Sequence, residues 1–126
     1  MLVPQFSLQK PALDVLKEIK AFLEANPSEI VTIFIEDYVT SPSGLSKVFD
    51  AAGLKTFMFP MSRMPKDGKD WPTVDDMAKN NQRLVVFTSK SSKEASDGIA
   101  YEWNYVVENQ CESFFKRSKH NLFSYD

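Results

Sequence analysis

An α/β fold with parallel strands is predicted by two apolar segments of strand length, by the helical periods around and between them, and by the polar residues on which both segments stop. The first segment is residues 29–40, EIVTIFIEDYVT, where Ile30, Val31, Ile33, Phe34 and Ile35 form a nearly unbroken β-rich run. With no clean alternation to expose one side, this run predicts a strand covered on both faces. The second is RLVVFTSK, whose apolar part runs from Leu84 to Phe87 and ends on Thr88, Ser89 and Lys90. Helical crossovers between such segments join parallel strands. Two strands do not make a sheet, so others are expected beside them, and YEWNYVVE at residues 101–108 offers one short ambiguous segment.

In chain order, residues 1–10 show no period and read as an irregular lead-in. From Pro11 the apolar positions Leu13, Leu16, Ile19, Phe22 and Leu23 recur at helical spacing, with the proline suited to a first turn. This helix is expected to end near Ala25, where Asn26 and Pro27 stop it. After the loop TSPSG, a short amphipathic helix carries Leu45, Val48, Phe49 and Ala52 and closes on Gly53 as a left-handed cap. Residues 54–72 hold Pro60, Pro65 and Pro72 and read as a long connection anchored by Phe57, Phe59 and Trp71. Connections of this length are uncommon in a compact domain unless they pack over a functional face or dock on something else. Thr73 with Asp76 three residues on resembles a capping box that opens a helix through Met77, ending about Asn80 or Asn81.

The 126 residues suffice for one modest domain, and a formal charge of -2 supports neither nucleic acid nor an anionic membrane as partner. The single cysteine, Cys111, cannot form an internal disulfide. The sequence has no transmembrane segment and no secretory leader, so as written a cytoplasmic location is expected. There is no Walker loop, GxGxxG, GxSxG or Cys/His cluster to support nucleotide, α/β-hydrolase or zinc chemistry.

Glu36 and Asp37 end the first strand. Ligands of open α/β sheets and (β/α)8 barrels sit at the C-terminal ends of strands, which makes Glu36 the leading functional candidate. A polar terminus that returns the chain to water accounts for the pair equally well. The alternating Tyr101, Trp103 and Tyr105 suit half of a packed core better than a carbohydrate platform. Lys116, Arg117 and Lys119 are too few for a nucleic-acid or membrane patch, and a disordered tail is expected there.

The phrases NPSEIVTIFIEDYV, FPMSRMP with GKDWPTVDDM, RLVVFTS and GIAYEWNYVVEN, in that order over residues 11–110, resemble the plant phospholipase C-like phosphodiesterases with a phosphatidylinositol-specific phospholipase C X-domain fold. The resemblance implies a partial (β/α)8 TIM barrel over residues 11–110, followed by a divergent tail at 111–126. It implies phosphodiester cleavage of an inositol phospholipid or a related substrate: a neighbouring substrate hydroxyl attacks phosphorus, one histidine accepts its proton and another protonates the leaving alcohol. Both histidines belong to strands preceding the matched region. The only histidine in the sequence, His120, lies beyond that region, so the chain by itself is expected to be inactive. The resemblance further assigns Glu36 to calcium binding or, as in metal-free relatives, to a basic partner, with Asp37 the weaker candidate. Lys90 is placed near the substrate head group, although a solvated lysine suits the position as well. Relatives are secreted or surface-anchored. A non-catalytic α/β binding module is the alternative, and an open half-barrel would expose strand edges and apolar faces.

Overall fold

The computed structural model describes residues 9–36 and 43–107. Asp37, Cys111, His120, residues 1–8 of the lead-in expected over 1–10, and the 111–126 tail lie outside them, while Gln9 and Lys10 of that lead-in are helical. Helix α1 (Gln9–Ala25) starts two residues before Pro11, leaving the proline in a first turn whose amides have no intrahelical acceptor. Its Leu16 and Leu23 are buried, with Leu13 and Ile19 packed beside them. The helix ends where the Asn26 backbone N–H and side-chain Nδ2 both donate to the Phe22 carbonyl, at 3.0 and 2.9 Å.

Strand β1 (Val31–Ile35) follows. Its coverage on both faces is not found: Val31, Ile33 and Ile35 pack towards the helices, while Thr32 and Phe34 on the other face are exposed. Phe34 hides the alternation from a sequence reading because it is apolar and still faces outward. Helix α2 (Gly44–Ala51) buries Leu45 and Phe49 on the same side as α1, and Gly53 takes the left-handed conformation expected of it, at φ 75°.

The connection after α2 is irregular but closely packed. Two 3₁₀ turns, Lys55–Phe57 and Met61–Arg63, bury Leu54, Phe57, Phe59 and Met64 around them. Trp71 is a weaker anchor than expected, at 40% exposed, held by ring contacts to Phe59 and Phe87 at centroid distances of 5.9 and 6.5 Å. Helix α3 (Val74–Lys79) opens with the Asp76 N–H donating to Thr73 Oγ1 at 3.1 Å, a cap worth about 1 kcal/mol. The reciprocal half of the box is missing, because the Asp76 carboxylate turns to Arg63 at 3.0 Å instead.

Strand β2 (Leu84–Thr88) is buried at all five positions, as expected. It pairs with β1 in parallel, Val31 against Leu84 through Ile35 against Thr88. Helix α4 (Lys93–Asp97) was not foreseen, since KEASD carries no apolar period, and Gly98 ends it at φ 69°. Strand β3 (Ala100–Tyr101) then pairs in parallel with Phe87 and Thr88, giving the sheet order β1-β2-β3. Two residues suffice because the opposite half of that edge is taken by Met58, which bridges Leu84, and by the Phe59 N–H, 2.7 Å from the Leu84 carbonyl. The supposed aromatic stripe is not a strand: Glu102–Asn104 turns as a 3₁₀ segment, Trp103 is exposed, and Tyr105 joins the aromatic packing over Phe87.

The structure is therefore mixed α/β with a small parallel three-stranded sheet. Leu84, Val86 and Ile99 meet α1 and α2 on one face, while Val85, Phe87 and Ala100 meet Phe59, Met64 and Met77 on the other. Arg83, only 4% exposed, ties the edge where the strands begin. Its guanidinium donates to the carbonyls of Asn26 and Glu29 at 3.0 and 3.3 Å and to Asn81 Oδ1 at 3.1 Å, and it lies 5.4 Å from the centre of the Phe57 ring.

Candidate functional site

Parallel strands in register deliver their C-terminal ends to one rim. Ile35, Thr88 and Tyr101 stand side by side, the Ser89 N–H still donates to the Ile35 carbonyl at 3.0 Å, and Glu36 and Glu102 are the first residues past the ends of β1 and β3. The alternation of β1 assigns Glu36 to the face of Phe34, away from α1, and it is exposed there. Lys90 lies on the same rim at the entry to α4. Its N–H donates to Thr88 Oγ1 at 3.2 Å, its carbonyl accepts the Lys93 N–H at 3.1 Å, and the residue is exposed. The fold thus gathers both candidates at one edge without joining them: the ion pairs among the described residues are Lys20–Glu24 and Arg63–Asp76.

Two clefts open beside this rim. The first, of about 400 Å³, is apolar and lies along the open face of the sheet between Thr32 and Phe34 of β1 and Val74 and Met77 of α3. The second, of about 430 Å³, is polar and is lined by Pro65 through Lys69 with Glu94, Asn104 and Tyr105. Trp71 and Tyr105 border both. Glu94 fixes the polar cleft, one carboxylate oxygen accepting the Tyr101 N–H at 2.8 Å and Asn104 Nδ2 at 3.3 Å. Burial, and then the charge of Glu94, push the Tyr105 phenol above its usual range, so it remains protonated and able to donate at neutral pH. Sequence reasoning missed this cleft because α4 went unseen, although the Asp67–Gly68 pair is a legible turn signal.

The family model described as PI-PLC X 1 matches residues 7–120. The chain belongs to the PI-PLC X family. A PI-PLC X domain-containing protein of Arabidopsis thaliana is 55% identical over 105 residues, covering 83% of this chain and 25% of that protein. PI-PLC X domain-containing protein 1 of Arthroderma benhamiae is 33% identical over 101 residues, covering 74% of this chain and 31% of that protein. This PI-PLC X chain therefore spans between a quarter and a third of the length of these curated relatives. No solved structure matches it significantly.

Calcium asks for roughly six to eight oxygen ligands. Among the described residues of this PI-PLC X chain no three acidic, histidine or cysteine side chains converge, at Glu36 or elsewhere. Among the same residues no helix is long and apolar enough to cross a membrane.

The rim is held to α2 by Asp97. Its Oδ2 accepts the Ser46 N–H at 2.9 Å, capping a helix whose own Ser43 makes no side-chain cap. Burial pushes the Asp97 carboxyl up, but hydrogen bonds from the Ser96 hydroxyl and the Ser46 and Leu45 amides, together with the Lys93 charge, outweigh it and hold the group below 3.8. A lowered folded-state value contributes stability above the unfolded value, and that contribution disappears as pH falls through the folded one. Urea midpoints measured between about pH 6 and pH 3 should therefore fall more steeply for the wild type than for Asp97→Asn. Parallel curves would show that Asp97 contributes nothing through its charge.

Proposed function

We propose that this chain forms part of a (β/α)8 phosphodiesterase barrel acting on an inositol phospholipid or a related phosphodiester, with the strand-end rim as the floor of its site. The observation that supports this reading best is the parallel register that brings Ile35, Thr88 and Tyr101 side by side, the chain continuing from them into Glu36, into Ser89 and Lys90, and into Glu102. Lys90 offers a mobile point charge for a phosphate oxygen. Glu36 would orient a basic partner or, where calcium is bound, supply one carboxylate, the remaining oxygens coming from outside the described residues.

Transfer of the substrate hydroxyl proton to one histidine and protonation of the leaving alcohol by another need two imidazoles, and the sequence holds one histidine. The isolated chain, incubated with phosphatidylinositol vesicles, is accordingly expected to release no inositol phosphate above a buffer blank. Turnover that disappears on His120→Ala would sink that assignment. A binding module is the second reading, favoured by Phe34 and Val74, which are 54% and 59% exposed on the apolar cleft.

A further inference from the structure

We propose that Asp67 is a site of isoaspartate formation, the Gly68 nitrogen attacking the Asp67 side-chain carboxyl, and that the fold directs this modification to Asp67 and away from Asp97. The sequence holds two Asp-Gly pairs, Asp67–Gly68 and Asp97–Gly98. Glycine after aspartate favours the reaction because no Cβ crowds the attacking nitrogen. The modification is independent of any phosphodiesterase chemistry.

The step is a condensation followed by a hydrolysis. The Gly68 nitrogen bonds to Asp67 Cγ, its proton and the hydroxyl of the protonated carboxyl leave together as water, and a succinimide ring closes. Water then opens the ring. Attack at the Asp67 main-chain carbonyl breaks its bond to the Gly68 nitrogen, so the chain now runs through Cγ and the former main-chain carbonyl becomes a carboxylate. No oxidant, reductant or cofactor enters, and the net composition of the chain is unchanged.

At Asp97–Gly98 both reacting groups are committed. The Asp97 carboxylate accepts the Ser46 N–H at 2.9 Å on Oδ2 and the Ser96 hydroxyl at 2.5 Å on Oδ1, and the Gly98 N–H donates to the Glu94 carbonyl at 3.2 Å. Reaction there requires Asp97 to release the first turn of α2 and Gly98 to release the end of α4.

At Asp67–Gly68 neither group is committed. Residues 66–69 are all exposed, and among the described residues neither the Asp67 carboxylate nor the Gly68 N–H has a hydrogen-bond partner. The turn is closed by the Lys69 N–H on the Lys66 carbonyl at 3.2 Å, so opening it far enough for ring closure disturbs no buried contact. A methyl in place of a hydrogen on Gly68 or on Gly98 would meet nothing within 4 Å, so space does not separate the two pairs and hydrogen bonding does. Asp67 and Gly68 sit at φ 55° and 76°, the two left-handed positions of a type I′ turn, which aspartate tolerates without favouring. Isomerisation adds a methylene, and with it a rotatable bond, to this turn. Because the turn lines the polar cleft, the product also relocates a carboxylate at the cleft's lip.

The test ages the purified chain in warm neutral buffer, unfolds it and digests it with an endoproteinase that cuts before aspartate but not before isoaspartate. Progressive loss of the cut between Lys66 and Asp67 is expected, while the cut between Ser96 and Asp97 persists. In parallel, the cyanogen bromide fragment 65–77, which holds no asparagine, should accept methyl groups from S-adenosylmethionine through a protein isoaspartate methyltransferase. Asp67→Glu should abolish that uptake, because glutamate would have to close a larger and slower ring, and its thermal midpoint should match wild type at this exposed position. Aged in guanidinium, the chain should lose both cuts at similar rates, since the fold alone separates the two sites. A persistent cut at Asp67 with no methyl uptake in that fragment, uptake retained in Asp67→Glu, equal loss of the two cuts in the folded chain, or the same preference for Asp67 in guanidinium would overturn the proposal.

Discussion

Phe87→Ala is expected to destabilise the chain by about 3–5 kcal/mol, the range for truncating a buried aromatic residue. Phe87 is 3% exposed, the fourth of the five residues of β2, and its ring contacts Phe34 at 5.1 Å, Tyr105 at 5.7 Å and Trp71 at 6.5 Å between centroids. Removing it opens a cavity that these three rings cannot all close, because Phe34 and Trp71 are already partly in water and have nothing behind them to push them inward. The loss should show in urea midpoints. Phe87→Leu should recover more than half of it, since most of the volume returns without the ring contacts. An alanine variant within about 1 kcal/mol of wild type would mean that the open face of the sheet contributes little to folding.

Arg83→Met should cost about 2–4 kcal/mol, for a different reason. Methionine keeps much of the apolar stem that packs by Phe57 and loses every donor, leaving the Glu29 carbonyl without its guanidinium and the Asn26 carbonyl with the Glu29 N–H alone, at 3.1 Å, in the turn that leads into β1. A lysine in the same place should lie between the two, because one ammonium cannot reproduce the planar fork that reaches both carbonyls and Asn81. The check is again the denaturation midpoint, with the lysine variant distinguishing lost charge from lost geometry. Equal stability of the methionine and wild-type chains would sink the account of Arg83 as a clamp.

What was legible in the sequence is what local periodicity and punctuation encode. The apolar spacing from Leu13 to Leu23, the β-rich run at Val31–Ile35, the Thr73 cap and the Gly53 stop all correspond to observed elements. The parallel pairing followed from the helical crossovers between strands. Missed features depend on partners remote in the chain. Helix α4 is polar and five residues long, and its Asp97 is tied to Ser46, 51 positions away. Nothing within KEASD announces that contact. The exposure of Phe34 was equally hidden, because composition alone cannot say which side of a strand has a neighbour. At the candidate site, position at the end of a strand was readable for Glu36 and Lys90. The cleft beside them was not, since it joins Lys66, Glu94 and Tyr105 from three separate segments.

The order β1-β2-β3 also leaves the two edges of this sheet unequal. On the β3 side the extended backbone lasts two residues before it coils, so a strand beside it would have Ala100 and Tyr101 to align on. On the β1 side, Val31 and Ile35 spend their amide and carbonyl on β2, so the groups of Thr32 and Phe34 point the other way. Among the described residues no strand lies there. Any extended chain that accretes on that flank, from this molecule or another, must therefore take its phase from two residues. A slip by one position would turn its side chains over with respect to the helices.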